Sequence, residues 1–168
     1  MNHIWSFDFM SDALYSGRRF RCLNIIDEGT REALAVIPDT SLPAARVVRE
    51  LKQIGSVRGL SQRIRIDNGP EMLAQVFTDW RKDKGIELAY FEPGKPYQNA
   101  YIERFNRSSR DELLDRYLFT SLSQVREMSA AWMISYNEER PHDSLGRIPP
   151  AEFRRQITGE VSTFNLSA

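Results

Sequence analysis

Three strand-type runs stand in the first 37 residues, before any helical periodicity begins, and this limits most what the chain can fold into. Residues 4–9 alternate apolar and polar side chains around Trp5-Ser6-Phe7-Asp8-Phe9. Residues 20–26 (Phe-Arg-Cys-Leu-Asn-Ile-Ile) and 33–37 read as a second and third strand. Gly17-Arg18-Arg19 marks the first turn and Asp27-Glu28-Gly29-Thr30 the second, so the three runs predict an antiparallel meander. The period then changes. Ser41 and Pro43 open a helix in which Ala44, Val47, Val48, Leu51 and Ile54 share one face, with Gly55 expected to close it. Ile64 and Ile66 lie on one face of a fourth strand that ends at Asp67, before the Asn68-Gly69-Pro70 turn. Leu73, Val76, Phe77 and Trp80 repeat as a second apolar helix face that Gly85 terminates, and residues 86–91 read as a fifth strand.

From about residue 98 to 118 the pattern is helical, with Ile102, Phe105, Ser109 and Leu113 on one stripe. A final long helix starts at Thr120-Ser121, where Ser121 and Gln124 fit a capping box. Val125, Met128, Trp132 and Tyr136 form its buried stripe up to about Asn137. A turn-rich stretch follows, then a short helix at residues 152–157 and a loose tail at 158–168. The expectation is an α/β chain with a five-stranded mixed sheet, three strands antiparallel and two parallel, flanked by helices. Residues 1–157 form one domain, as 41% apolar and 27% charged residues over 19.5 kDa allow. There is no internal repeat or interdomain linker.

No apolar run reaches 18 residues, and Asn2, His3 and Asp8 interrupt any signal-like stretch, so no membrane partner and a cytoplasmic location are expected. The single Cys22 rules out an internal disulfide and a cysteine-based zinc site, and in a strand it reads as a core residue. Net charge is zero, with 23 basic and 23 acidic side chains, which argues against a strong free-standing nucleic-acid binder. DNA remains open as a substrate, because acids gathered around cations would be neutralised and leave the arginines to act on a phosphate backbone.

Three acids stand out. Asp8 lies inside an aromatic strand, where an unpartnered carboxylate would be costly. Asp67 ends a strand, the place where open α/β sheets put functional groups. Glu103 comes near the start of a long helix, with 35 residues between it and Asp67. Three carboxylates from strands and a helix suit a pair of divalent cations, which take hard oxygen ligands and clamp the attacking and leaving oxygens in phosphoryl transfer. On spacing alone, any three of 23 acids can be fitted to such a pattern. Glu103, Asn106, Arg107 and Arg110 share a neighbouring stripe of the helix, readable either as a track along phosphates or as a solvated charged face. The loop Glu92-Pro93-Gly94-Lys95-Pro96, which cannot continue either flanking element, reads equally as a mobile flap or as a surface turn.

The order of elements resembles the ribonuclease H-like fold. More closely, the residues resemble the catalytic core of bacterial insertion-sequence transposases of the OrfB type, relatives of retroviral integrases. The resemblance is carried by Trp5-Ser6-Phe7-Asp8-Phe9, by Asp27 through Arg31, by Asp67-Asn68-Gly69-Pro70-Glu71, and by Pro96-Tyr97-Gln98-Asn99-Ala100-Tyr101-Ile102-Glu103-Arg104-Phe105-Asn106. It continues through Tyr136-Asn137, Arg140-Pro141-His142, Ser144-Leu145-Gly146 and Pro149-Pro150-Ala151-Glu152, so it covers nearly the whole chain.

The resemblance implies that Asp8, Asp67 and Glu103 bind two Mg²⁺ or Mn²⁺ ions. It implies that Arg110, and with less weight Arg107 and Asn106, face DNA; Lys95 in the proline-rich loop joins them as a candidate. The implied reaction is nicking that exposes a 3′ hydroxyl, followed by attack of that hydroxyl on a target phosphodiester, with no covalent protein intermediate. The implied partners are transposon-end and target DNA, with no small-molecule substrate. Joining two ends calls for a homo-oligomer on DNA. His142 is then a structural residue of the turn after the long helix.

Two departures stand beside the resemblance. Such transposases carry helical DNA-binding segments ahead of the core, and here seven residues precede Asp8; Met72 stands where an aromatic is common. Sequence-specific end recognition is therefore not expected of this stretch alone. A catalytically silent remnant that binds DNA or full-length transposase and regulates it is the alternative expectation.

Overall fold

The computed structural model describes residues 1–66, 73–89 and 99–159. A five-stranded mixed sheet of order β3-β2-β1-β4-β5 forms its centre, built from β1 (Ile4–Ala13), β2 (Arg19–Asp27), β3 (Ala33–Asp39), β4 (Arg63–Ile66) and β5 (Glu87–Ala89). The first three strands pair antiparallel, and β4 and β5 add in parallel, as their helical connections require. The first hairpin runs past the expected end at Phe9, because Met10↔Cys22 through Ala13↔Arg19 keep the ladder paired up to the turn at Gly17, whose φ of 86° suits glycine.

Period-2 alternation gives the sheet two buried faces. Trp5, Phe7, Leu23, Ile25, Ile64 and Ile66 point to one side, where α1 (Ala44–Arg58) and α2 (Gln75–Asp83) cover them with Val47, Leu51, Phe77 and Trp80. On the other side, α3 (Ala100–Ser109) continues into one π-helical turn (Arg110–Leu114) and α4 (Leu122–Glu138) follows. There Phe20 and Cys22 meet Leu113, Leu114 and Val125, while Ile26 meets Ile102, Phe105 and Tyr136. The Ile102, Phe105, Ser109, Leu113 stripe is buried as its spacing predicts.

Three expectations need correction. Gly55 does not end α1, which runs on to Arg58 with Gly59 (φ 81°) at its C-cap. The Leu60 side chain folds back onto Gly55, so that a Cβ there would stand 2.4 Å from Leu60 Cδ2. Glycine serves close approach at this point, not a stop. In the second helix, Phe77 and Trp80 are buried but Leu73 and Val76 are 74% and 45% exposed, because regular helix begins only at Gln75 and its inner face is centred on the two aromatics. The helix expected to reach residue 118 stops at Leu114, where the π turn widens the helix and lets both Leu113 and Leu114 enter the core.

Buried polar groups tie the outer elements to the sheet. Asp27 is fully buried; its carboxylate accepts from the Gly29 N–H (2.8 Å) and the Asn2 N–H (2.7 Å) and pairs with Arg58 (3.2 Å). Arg58 also reaches Glu32 (3.0 Å), which in turn holds Arg154 (3.0 Å) of α5 (Pro150–Thr158). On edge strand β3, the Asn137 side-chain amide accepts from the Ala33 N–H and donates to the Ala33 carbonyl, both at 2.8 Å, so α4 completes the backbone pairing there. The capping box of α4 is split: Ser121 Oγ accepts from the Gln124 N–H (3.2 Å), while Gln124 Oε1 accepts from the N–H of Thr120 (2.9 Å) instead of Ser121. No helix among the described residues is long and apolar enough to cross a membrane.

Candidate active site

Asp8 lies on the central strand, and alternation turns it, with Ser6 and Met10, toward α3 and away from the aromatic core. It is half-buried. Its Oδ1 accepts from the Phe9 N–H (2.8 Å), and its Oδ2 accepts from Asn106 Nδ2 on α3 (2.8 Å). The Asn106 carbonyl oxygen accepts from Asn24 Nδ2 (2.8 Å), and Asn24 is the residue directly opposite Asp8 on β2. Asn24 is fully buried and donates also to the Met10 sulfur (3.1 Å). The two amides form a directed series from β2 through α3 to the carboxylate, holding its plane in one orientation.

Asn24 is the residue that sequence reasoning missed. Its signal was present: one amide within the apolar run Leu23-Asn24-Ile25-Ile26, which the hairpin register sets across from Asp8.

Glu103 is exposed in the first turn of α3 and accepts from Asn99 Nδ2 (3.1 Å). Asn106, three residues on, shares its side of the helix. The contacts Asn106 to Asp8 and Arg110 to Asp12 advance together along both elements, so α3 runs in the direction of β1. Glu103, about 4.5 Å up the axis from Asn106, therefore lies toward the end of β1 that carries Ser6 and Phe7. β4 arrives at this same end, with Ile66 beside Phe7. Asp67 is the next residue in the chain and lies outside the described residues, as does Lys95. Among the described residues no group of three or more acidic, histidine or cysteine side chains could hold a metal; Asp8 and Glu103 supply two hard carboxylates.

The remaining residues of the predicted stripe divide. Arg110 is committed to structure: it donates to Asp12 Oδ2 and to the Ser11 carbonyl, both at 2.9 Å, and so ties the π turn to the β1–β2 hairpin. Arg107 is exposed, and among the described residues its side chain has no ion-pair partner. Beside Asp8, Glu28 takes hydrogen bonds from the Ser6 hydroxyl and from Arg65 (2.8 Å), so that carboxylate is already neutralised.

Buried Cys22 and half-buried His142 serve packing. Burial, with Asp12 adding to it against the opposing effect of Arg110, pushes the Cys22 thiol up to about 12, which leaves it protonated and unreactive. His142 packs edge-on against Tyr136 with ring centroids 5.0 Å apart, in the turn closed by the His142↔Ile148 bridge, as its structural reading requires. Burial first, and then the charges of Arg140, Arg104 and Arg31, lower its pKa to about 4 against a smaller raising effect from Asp143.

The chain matches the integrase core domain in two overlapping family models, over residues 1–96 and 84–150. It is 48% identical, over 98% of its length, to an uncharacterized 39.2 kDa protein of insertion element IS476 from Xanthomonas euvesicatoria. It is 41% identical, over 90% of its length, to an uncharacterized 31.7 kDa protein of insertion element IS407 from Burkholderia multivorans. The chain spans about half the length of these curated relatives, 49% and 55%.

Solved structures share the fold at low identity. The HTLV-2 integrase catalytic core in complex with magnesium superposes with a TM-score of 0.68 at 18% identity, covering 90% of this chain and 95% of that one. The BIV integrase catalytic core gives 0.69 at 18% identity, covering 95% and 97%. The five-stranded mixed sheet with helices on both faces is thus the ribonuclease H-like architecture of those cores, and the chain belongs to the integrase core domain family.

Proposed function

We propose that this chain is the catalytic core of an insertion-sequence transposase, which cuts DNA to free a 3′ hydroxyl and joins that hydroxyl to a target phosphodiester. The observation that carries the reading is the hydrogen bond from Asn106 to Asp8. It ties the face of α3 that bears Glu103 to the strand that bears Asp8, at the end of the sheet where the chain continues into Asp67. Asp8, Asp67 and Glu103 would hold two Mg²⁺ or Mn²⁺ ions, and the donor set fits hard cations in kind, being all carboxylate. Bound divalent cations supply an acidified attacking water or hydroxyl and neutralise charge on the leaving oxygen.

The chain's own residues fix positions. The Asn24-Asn106 series orients one Asp8 oxygen and the Phe9 amide the other, so the carboxylate does not have to reorganise during the reaction. Asn99 does the same for one oxygen of Glu103. In-line displacement needs this positioning and no side-chain nucleophile, which agrees with Cys22 being a core group and His142 a packing residue against Tyr136. Function as a homo-oligomer on DNA follows from the need to join two ends.

The test is a strand-transfer assay with a labelled element-end oligonucleotide and Mn²⁺, using the unchanged chain and Glu103→Gln. Joining by the former and a loss of at least about a hundredfold in the latter, in line with the removal of transition-state charge stabilisation, is the expected result. Cutting of arbitrary DNA without joining would point to a nuclease of the same fold, and DNA binding with neither product to a silent regulator.

A further inference from the structure

Most arginines among the described residues answer to a carboxylate: Arg58 to Asp27 and Glu32, Arg65 to Glu28, Arg110 to Asp12, Arg154 to Glu32. In these pairs a carboxylate already competes with phosphate for each cation. Arg31 and Arg104 are different. Among the described residues neither side chain has a hydrogen bond or an ion pair. They also lie together. The Arg31 guanidinium stacks on the Tyr101 ring, 3.5 Å from its centroid, and Tyr101 and Arg104 are three residues apart on α3, hence on one face. Both charges act on His142 and Tyr136 beneath them.

Local construction fixes Arg31. It occupies the left-handed region at φ 62°, uncommon for a residue with a side chain, and its N–H bonds the Asp27 carbonyl (2.8 Å) in the β2–β3 turn. That turn is anchored by the buried Asp27 carboxylate, and Arg31 is aimed at α3 as a result. Stacking on Tyr101 uses the flat face of the guanidinium; its Nε is buried without a partner, and the in-plane Nη donors are the ones that suit a phosphate. Tyr101 is itself 39% exposed.

We infer that Arg31, Tyr101 and Arg104 form a binding site for a DNA backbone phosphate. The site rests on the reading of the chain as a DNA strand transferase. Arg104 follows Glu103 on α3, so the site lies within one helical turn of that candidate metal-binding acid. Two guanidinium groups without a carboxylate partner among the described residues would position the strand without reading its sequence. The electrostatic work is thereby moved off Arg110, whose donors are already engaged with Asp12 and Ser11.

The experiment measures binding of a fluorescently labelled DNA duplex by anisotropy over a series of salt concentrations. It compares the unchanged chain with Arg31→Gln, Arg104→Gln, Arg31→Lys and, as a charge-matched control, Arg18→Gln in the exposed hairpin turn. Thermal melts check that the variants fold. Each of Arg31→Gln and Arg104→Gln is expected to weaken binding several-fold and to reduce the slope of log K against log salt by roughly 0.9, the contribution of one phosphate contact. Arg31→Lys should keep the slope yet lose affinity, and Arg18→Gln should change neither.

Equal slopes in all variants, equal losses in Arg18→Gln, or no DNA binding by the unchanged chain would overturn the site. Asp8→Asn, assayed in parallel for Mn²⁺ binding and joining, separates this inference from the catalytic reading. If the arginine variants behave as expected while neither Mn²⁺ binding nor joining is detectable in the unchanged chain, the phosphate site stands and the strand-transferase reading falls.

Discussion

Asn24 is where residue-scale reading gains most. A buried amide in a strand interior costs free energy unless its donors are used, and here Asn24 Nδ2 donates to Asn106, whose other end holds Asp8. Asn24→Ala should therefore cost about 1–3 kcal/mol of stability, the range for leaving a buried partner unsatisfied, as read by denaturant melts. It should also weaken Mn²⁺ binding, because the Asp8 oxygen loses its fixed orientation; stability loss with unchanged Mn²⁺ affinity would make Asn24 structural only.

Cys22 and His142 give two further tests at the same scale. With the thiol pushed up to about 12, Cys22 should resist alkylation at pH 8 in the folded chain and react promptly in denaturant. For His142, the unfolded imidazole takes up its proton near pH 6.5 and the folded one only near 4. Between these values the unfolded state binds more protons, so stability should fall as pH drops from about 6.5 toward 4. His142→Phe should flatten that part of the profile, measured by urea midpoints across the range. Asp8 and Glu103 were legible as candidates because each carries a local signal, an aromatic strand for one and a helix start for the other. Asn24 was not, since its role appears only when the β1–β2 register puts it opposite Asp8.

At the scale of elements, period and turn chemistry located all five strands and the principal helices, because each buried face repeats at 2.0 or 3.6 residues. Where reading failed, a tertiary contact outweighed a local rule. Gly55 looked like a helix stop and is a contact point for Leu60. Gly55→Ala gains roughly 1 kcal/mol of helix propensity but forces Leu60 out of its seat, an overpacking cost of about 1–3 kcal/mol. The net expectation is a lower melting temperature; a rise would show that Leu60 moves aside freely. The Leu73 and Val76 spacing misled for a related reason, since apolar residues at helical intervals do not say where the helix begins. The π turn at Arg110–Leu114 left no periodic trace, because one added residue per turn shifts the stripe only after Ser109.

For the whole molecule, a sheet buried on both faces puts the candidate carboxylate of Asp8 on the central strand, where Asn106 of α3 reaches it. The Asp27-Arg58-Glu32-Arg154 network locks α1 and α5 to the end of the sheet where Asp27 pairs with Trp5. The fold class was legible because the order of three antiparallel strands followed by helix and strand alternation admits few topologies. Asp67, the third candidate acid, follows β4 in the chain and lies outside the described residues.

The central claim is that Asp8, Asp67 and Glu103 act as one site, and isothermal titration of Mn²⁺ into the unchanged chain and into Asp67→Asn addresses it most directly. Saturable binding by the unchanged chain and markedly weakened binding by Asp67→Asn are expected, with Asp8→Asn behaving alike. Identical binding in all three, or no binding in any, would contradict it.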